Sequence, residues 1–162
     1  QVSSLLAKII DPLYHSIYPE LTRFWAAKKK REFFSLVRRT TAIVSIVVLA
    51  GWVIFIALGK WLISMVFGPS YMDAYIITVV YMFAFVISLC GFSIQPSMLA
   101  IGLPRNSFKA LVVGTIVYYC LLFPLIINMG VLGASYAFVV YNIVWITIMI
   151  FYLFPHWVSK KN

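Results

Sequence analysis

The sequence predicts an all-α integral membrane protein with four transmembrane helices and the end of a fifth. Three observations predict it. First, the 162 residues are 64% hydrophobic and only 10% charged, with a mean hydropathy of +1.01. A soluble domain is about 45–50% apolar and about 25% charged, so this chain has too few polar side chains to cover a surface in water. Second, four runs reach the roughly 20 apolar residues that a helix needs to cross the hydrocarbon core. Third, the basic residues alternate between rich and poor connections along the chain.

Residues 1–22 read as the end of a truncated transmembrane helix, and the start at Gln1 without a basic leader suggests a fragment. Residues 23–40 form a basic segment with two apolar stripes, Leu21, Phe24 and Trp25, then Phe33, Phe34 and Val37. Such a segment is expected to lie along the cytoplasmic membrane surface with its aromatics at headgroup level. The four spans follow at 41–67, 74–101, 110–127 and 134–154, and 155–162 is the tail. Lys60 is the only charge in the first span and lies near its end, within reach of water. Strands of a barrel would alternate polar and apolar residues, and these runs do not. Turn chemistry marks the breaks: Gly68, Pro69 and a capping Asp73, then Gly102, Pro104 and a capping Asn106 or Ser107, then Gly130 and Gly133. Pro96 and Pro124 fall inside spans, where each should kink or break its helix.

Orientation comes from the charges. Arg23, Lys28, Lys29, Lys30, Arg31, Arg38 and Arg39 precede the first span, Arg105 and Lys109 follow the second, and Lys160 and Lys161 follow the fourth. The other two connections have none between the spans. The positive-inside rule then puts eleven of the thirteen basic residues, and the C-terminus, in the cytoplasm. The net charge of +9 is thus a topological signal. The run Lys28, Lys29, Lys30 and Arg31 sits among membrane-facing aromatics directly before a span, which argues against nucleic acid. It also suits contact with anionic lipid, including a phosphorylated lipid substrate.

Inside the spans, Ala84/Ser88, Ala110/Gly114 and Gly133/Ala137 have the spacing that lets helices approach closely in lipid. Cys90 and Cys120, both in apolar runs, read as small buried thiols. Polar groups at membrane depth are costly and face protein or a wet cavity. Gln95, Asn142, Tyr118 and Tyr141 therefore either bond between helices or line a hydrated path for a polar solute. Asp11 and His15, four apart, could carry protons; an interfacial or capping role is the plainer reading. There is no paired carboxylate, metal-ligand spacing, phosphate loop or nucleophile beside a base, so neither enzyme activity nor a cofactor is expected.

Four motifs in order give the chain a family likeness: "YPEL" at 18–21, "VFGPSYMDA" at 66–74, "MLAIGLPRNSF" at 98–108 and "GVLGASYA" at 130–137. With their spacing, they resemble the C-terminal part of the polysaccharide-biosynthesis flippases of the multidrug/oligosaccharidyl-lipid/polysaccharide exporter superfamily, the O-antigen and exopolysaccharide repeat-unit transporters. The resemblance implies a MATE-like fold of two six-helix lobes around a cavity, with this chain supplying most of the C-terminal lobe and the N-terminal lobe missing. It implies a bacterial inner-membrane protein that flips undecaprenyl-diphosphate-linked oligosaccharide between leaflets by alternating access. The family's charged cavity residues lie largely outside this chain, so none is assigned here. A small-molecule exporter on the same scaffold, a membrane enzyme of polysaccharide assembly and a structural subunit are the rival readings.

Reporter fusions test the orientation. Green fluorescent protein joined after residue 103 or 158 should fluoresce, and alkaline phosphatase joined after residue 70 or 130 should be active. The reverse pattern at any one site would overturn the topology.

Overall fold

A backbone in lipid has no water to bond, so its amides and carbonyls must pair within a helix. The structure, a computed structural model, describes residues 17–158, and these fold as helices joined by short turns. Residues 17–26 are helical (α1). Then come α2 (Lys30–Phe67), a single 3₁₀ turn at Pro69–Tyr71, α3 (Ala74–Cys90), α4 (Ile94–Ala100), α5 (Pro104–Met129) and α6 (Val131–Val158). Four units are long and apolar enough to cross a membrane: α2, α3 with α4, α5 and α6. Asp11 and His15 lie outside the described residues, as do Lys8, Lys160 and Lys161.

The boundaries differ from the expected ones in ways the local chemistry explains. Residues 30–40 are not a separate surface segment; they are the first turns of α2, continuous with the span. Lys, Arg and Glu are good helix formers, Glu32 in the first turn suits the helix dipole, and neither Gly nor Pro interrupts them. The chain bends instead at 27–29, where Lys28 takes φ 57°. Phe33, Phe34 and Val37 consequently turn inward and are buried. They do not lie at headgroup level.

The span expected at 74–101 is broken at residues 91–93 into α3 and α4. Pro96 is the third residue of α4, where its missing N–H costs no bond. Helix α5 starts at Pro104, whose fixed φ suits a first helical position. Asn106 and Ser107 are inside that helix and Leu103 precedes it, so neither polar residue is the cap. Asp73 precedes α3 but makes no side-chain capping bond. Helix α6 runs beyond 154, through Pro155 into the expected tail. Cys120 is exposed and Cys90 half-buried, so the thiols are not core residues.

The spans pack in the order α2, α3, α6, α5, with the last helix inserted between its predecessors. Small residues let it in. A Cβ on Gly114 would lie 3.1 Å from the Trp145 Cβ, and one on Gly91 would lie 2.7 Å from Ile146 Cδ1. Ala84, Ala110 and Ala137 are fully buried. The α5–α6 turn is tightest: a Cβ on Gly133 would fall 2.1 Å from the Leu125 carbonyl oxygen. At the basic end, α1, α2, α4 and α6 share a core built on Leu21, Phe33, Phe34, Met98 and Leu153.

Helix α2 is fastened to α3 by side chains reaching backbone carbonyls. Trp52 Nε1 donates to the Val79 carbonyl at 3.2 Å, and the Tyr75 hydroxyl donates to the Ile56 carbonyl at 2.8 Å. Lys60 lies 5.4 Å from the centre of the Tyr75 ring, so the single span charge is held against an aromatic face.

Gly133→Ala should destabilise the protein by about 1–3 kcal/mol or more, because backbone must move to admit the methyl. Gly51→Ala, with open space around it, should be neutral or slightly stabilising. Thermal unfolding in detergent measures both; equal midpoints would contradict the α5–α6 packing.

Candidate functional site

Helices α3, α5 and α6 leave two adjoining clefts between them. The cleft nearer the basic end, of about 470 Å³, is lined by Ser88, Gln95, Ser107, Tyr141, Asn142 and Trp145 among others. The other, of about 440 Å³, is lined by Tyr81, Thr115, Tyr118, Tyr119, Ser135 and Tyr141 among others. Phe138 and Tyr141 line both, so the clefts meet at these two rings. The structure thus brings together all four residues singled out as cavity-lining: Gln95 and Asn142 in one half, Tyr118 in the other, Tyr141 at the junction. No Asp, Glu, Lys or Arg lines either half.

Sequence spacing builds this face. Phe138, Tyr141, Asn142, Trp145 and Met149 follow the three- and four-residue steps of one helix stripe. That stripe was legible, yet a search restricted to polar residues passes over Phe138 and Trp145. The rings form a pile. Phe138 stacks on Tyr141 at 5.8 Å and 10°, and on Tyr81 at 5.2 Å and 20°. Tyr118 stands edge-on to Phe138 and Tyr141, at 6.4 Å and 6.1 Å. Edge-to-face and offset pairs are favourable geometries for such rings, and each adds rigidity to the wall.

Asn142 is 1% exposed. Its amide donates to the Phe138 carbonyl at 2.8 Å, and its oxygen accepts from Trp145 Nε1 at 3.3 Å. Both bonds run along α6, so Asn142 does not join helices; it orients the Trp145 indole. Gln95 is exposed on the opposite wall. The serines beside it point elsewhere. Ser93 and Ser97 are fully buried; Ser93 Oγ pairs with Thr41 Oγ1 and lies 3.4 Å from the Val37 carbonyl of α2. The broken helix therefore spends two hydroxyls on internal bonds and turns its amide to the cleft.

The basic run disperses. Lys29 pairs with Glu32 at 3.3 Å, and Lys30 lies 5.9 Å from the Trp25 ring centre. Lys28 occupies the bend, and Arg31 lines a third cleft, between α1 and α2. Among the described residues no cluster of three or more His, Cys, Asp or Glu could hold a metal.

Over 137 residues, 83% of its length, the chain is 26% identical to "Capsular polysaccharide biosynthesis protein CapF" of Staphylococcus aureus, of which it covers 33%. It thus spans about a third of that relative's length. No family model and no solved structure matches the chain. Helices able to cross a membrane and a capsular relative together fit a polysaccharide-related membrane protein.

Asn142→Leu should cost about 1 kcal/mol, since it leaves the buried Trp145 N–H without its acceptor. Gln95→Leu, at an exposed site, should cost less. Unfolding in detergent, followed through tryptophan emission, measures the difference; a costlier Gln95 change would refute this assignment of the bonds.

Proposed function

We propose that this chain is part of a transporter that moves undecaprenyl-diphosphate-linked oligosaccharide across the bacterial inner membrane, without covalent chemistry on its cargo. The observation that supports this reading best is the uncharged, tyrosine- and amide-lined cleft on the α3–α5–α6 face. A glycan presents neutral hydroxyls and apolar C–H faces. Phenol hydroxyls, Gln95 and Ser88 suit the former, and the ring pile suits the latter. A cationic drug would gain most from a carboxylate, and this face offers none. The capsular role printed for the relative points the same way.

In this reading the chain belongs to the C-terminal lobe of a two-lobe, MATE-like protein and works with an N-terminal lobe beyond the described residues. The cytoplasmic C-terminus follows from the basic loops. The oligosaccharide head passes along the cleft while the prenyl tail stays in lipid, and rocking of the lobes alternates access. Contact of the basic end with the lipid diphosphate belongs to the same proposal, with Arg31 the best-placed of the four basic residues.

Complementation of a polysaccharide-export mutant tests it. Tyr141→Ala, at the junction, should lower export about tenfold for a loss of roughly 1.4 kcal/mol in cargo binding. Phe123→Ala, on an exposed ring outside the cleft, should leave export unchanged. Full export from alanine variants of Gln95, Tyr118, Tyr141 and Asn142 alike would sink the reading.

A further inference from the structure

The third cleft, between α1 and α2 at the basic end, has a volume of about 490 Å³. Its walls hold charges of both signs: Glu20 on α1, with Arg31, Glu32 and Arg39 on α2. Opposite charges this near usually close on each other, yet here they stay apart. The ion pair found among the described residues joins Glu32 to Lys29, outside the cleft lining. Glu20, Arg31 and Arg39 make none among the described residues. The helices hold them across the cleft, so both signs face the space between.

We propose that this cleft binds the headgroup of a zwitterionic aminophospholipid, with the phosphate on Arg31 and Arg39 and the ammonium on Glu20 and Glu32. Arginine's planar fork matches phosphate oxygens two at a time. The Ser35 hydroxyl, also in the lining, adds a donor beside them. A primary ammonium on a short two-carbon arm donates up to three hydrogen bonds, and carboxylates accept them. Phe24 and Leu36 give the cleft an apolar wall for the glycerol region.

Depth agrees with this occupant. Helix α2 has 38 residues, about 57 Å at 1.5 Å per residue, against a hydrocarbon core of about 30 Å. The charge-free run begins at Thr41, two residues after Arg39. The cleft therefore sits at headgroup level, just beyond the apolar part of the span.

The two glutamates decide the class of lipid. An anionic phosphoglycerol headgroup would satisfy the arginines but leave the carboxylates facing a net negative ligand. A choline headgroup carries a methylated nitrogen with no N–H to donate. Lys28, Lys30 and Arg38 lie outside the lining and serve any anionic surface, which separates bulk attraction from this site. The inference does not depend on the transported cargo, because a prenyl diphosphate has no ammonium.

The test uses the whole protein purified in detergent and mixed with equal amounts of phosphatidylethanolamine, phosphatidylcholine and phosphatidylglycerol of identical acyl chains. Native mass spectrometry then counts the retained lipids. Phosphatidylethanolamine should be retained about threefold over each of the others, the scale of a partly exposed charge pair. Glu20→Gln should bring that ratio near one, Arg39→Gln should reduce retention of all three, and Arg38→Gln should change neither. Equal or greater retention of phosphatidylglycerol by the unmodified protein would overturn the proposal, and so would a ratio that survives Glu20→Gln. The first comparison needs no variant, so a folding defect in one cannot rescue the idea.

Discussion

Everything else in the fold depends on how closely α6 can approach its neighbours. In lipid there is no hydrophobic gain from bringing two apolar helices together, so association rests on van der Waals contact and hydrogen bonds, which act only at short range. Gly91, Gly114 and Gly133 each supply the missing Cβ where α6, or the turn leading into it, comes nearest. The three lie at different levels along the helix, so α6 is gripped along its length. That grip fixes the direction of its Phe138–Asn142–Trp145 stripe and so makes the cleft.

A second constraint is the interruption at residues 91–93. Breaking a helix at membrane depth exposes backbone groups that must be satisfied within the protein. Here the Gly91 N–H bonds to the Ile87 and Ser88 carbonyls, and the Ile94 N–H bonds to the Gly91 carbonyl. Ser93 and Ser97, both buried, tie the segment internally and to α2. The break is thus closed on one side by serines and packed on the other against Ile146. What it gains is a new helix direction, and with it an exposed amide, Gln95, aimed at the α6 stripe.

The spans were legible because length, hydropathy and turn residues agree about them. So were the polar positions of the cleft, since Gln95, Tyr118, Tyr141 and Asn142 stand out in an apolar background. Three things were not. The start of α2 was masked because amphipathic stripes look alike whether they face headgroups or a protein core; only the burial of Phe33 and Phe34 separates the two. The caps were misplaced because Asn106 and Ser107 satisfy the cap preference while Pro104, two residues earlier, satisfies the first-position preference. The aromatic half of the cleft was hidden by class: in a chain that is 17% aromatic, no ring is conspicuous until its neighbours are known.

Flexing in any alternating motion has to occur where packing permits it. The two intraspan prolines invite the same role from sequence, and the structure divides them. Pro96 is fully buried at the meeting of α4 with its neighbours, where interior packing resists displacement. Pro124 is exposed on α5. Its ring removes the bond that the Cys120 carbonyl would otherwise accept, and Asn128 Nδ2 donates to its own carbonyl at 2.7 Å one turn later. The weak point of α5 therefore lies beside the Gly130–Gly133 turn and next to the tyrosine half of the cleft. Bending there would alter the opening around Tyr118 and Tyr119 while the serine-tied end, gripped by α2, stays in place. A lobe built this way moves its lining at one end and keeps its anchor at the other.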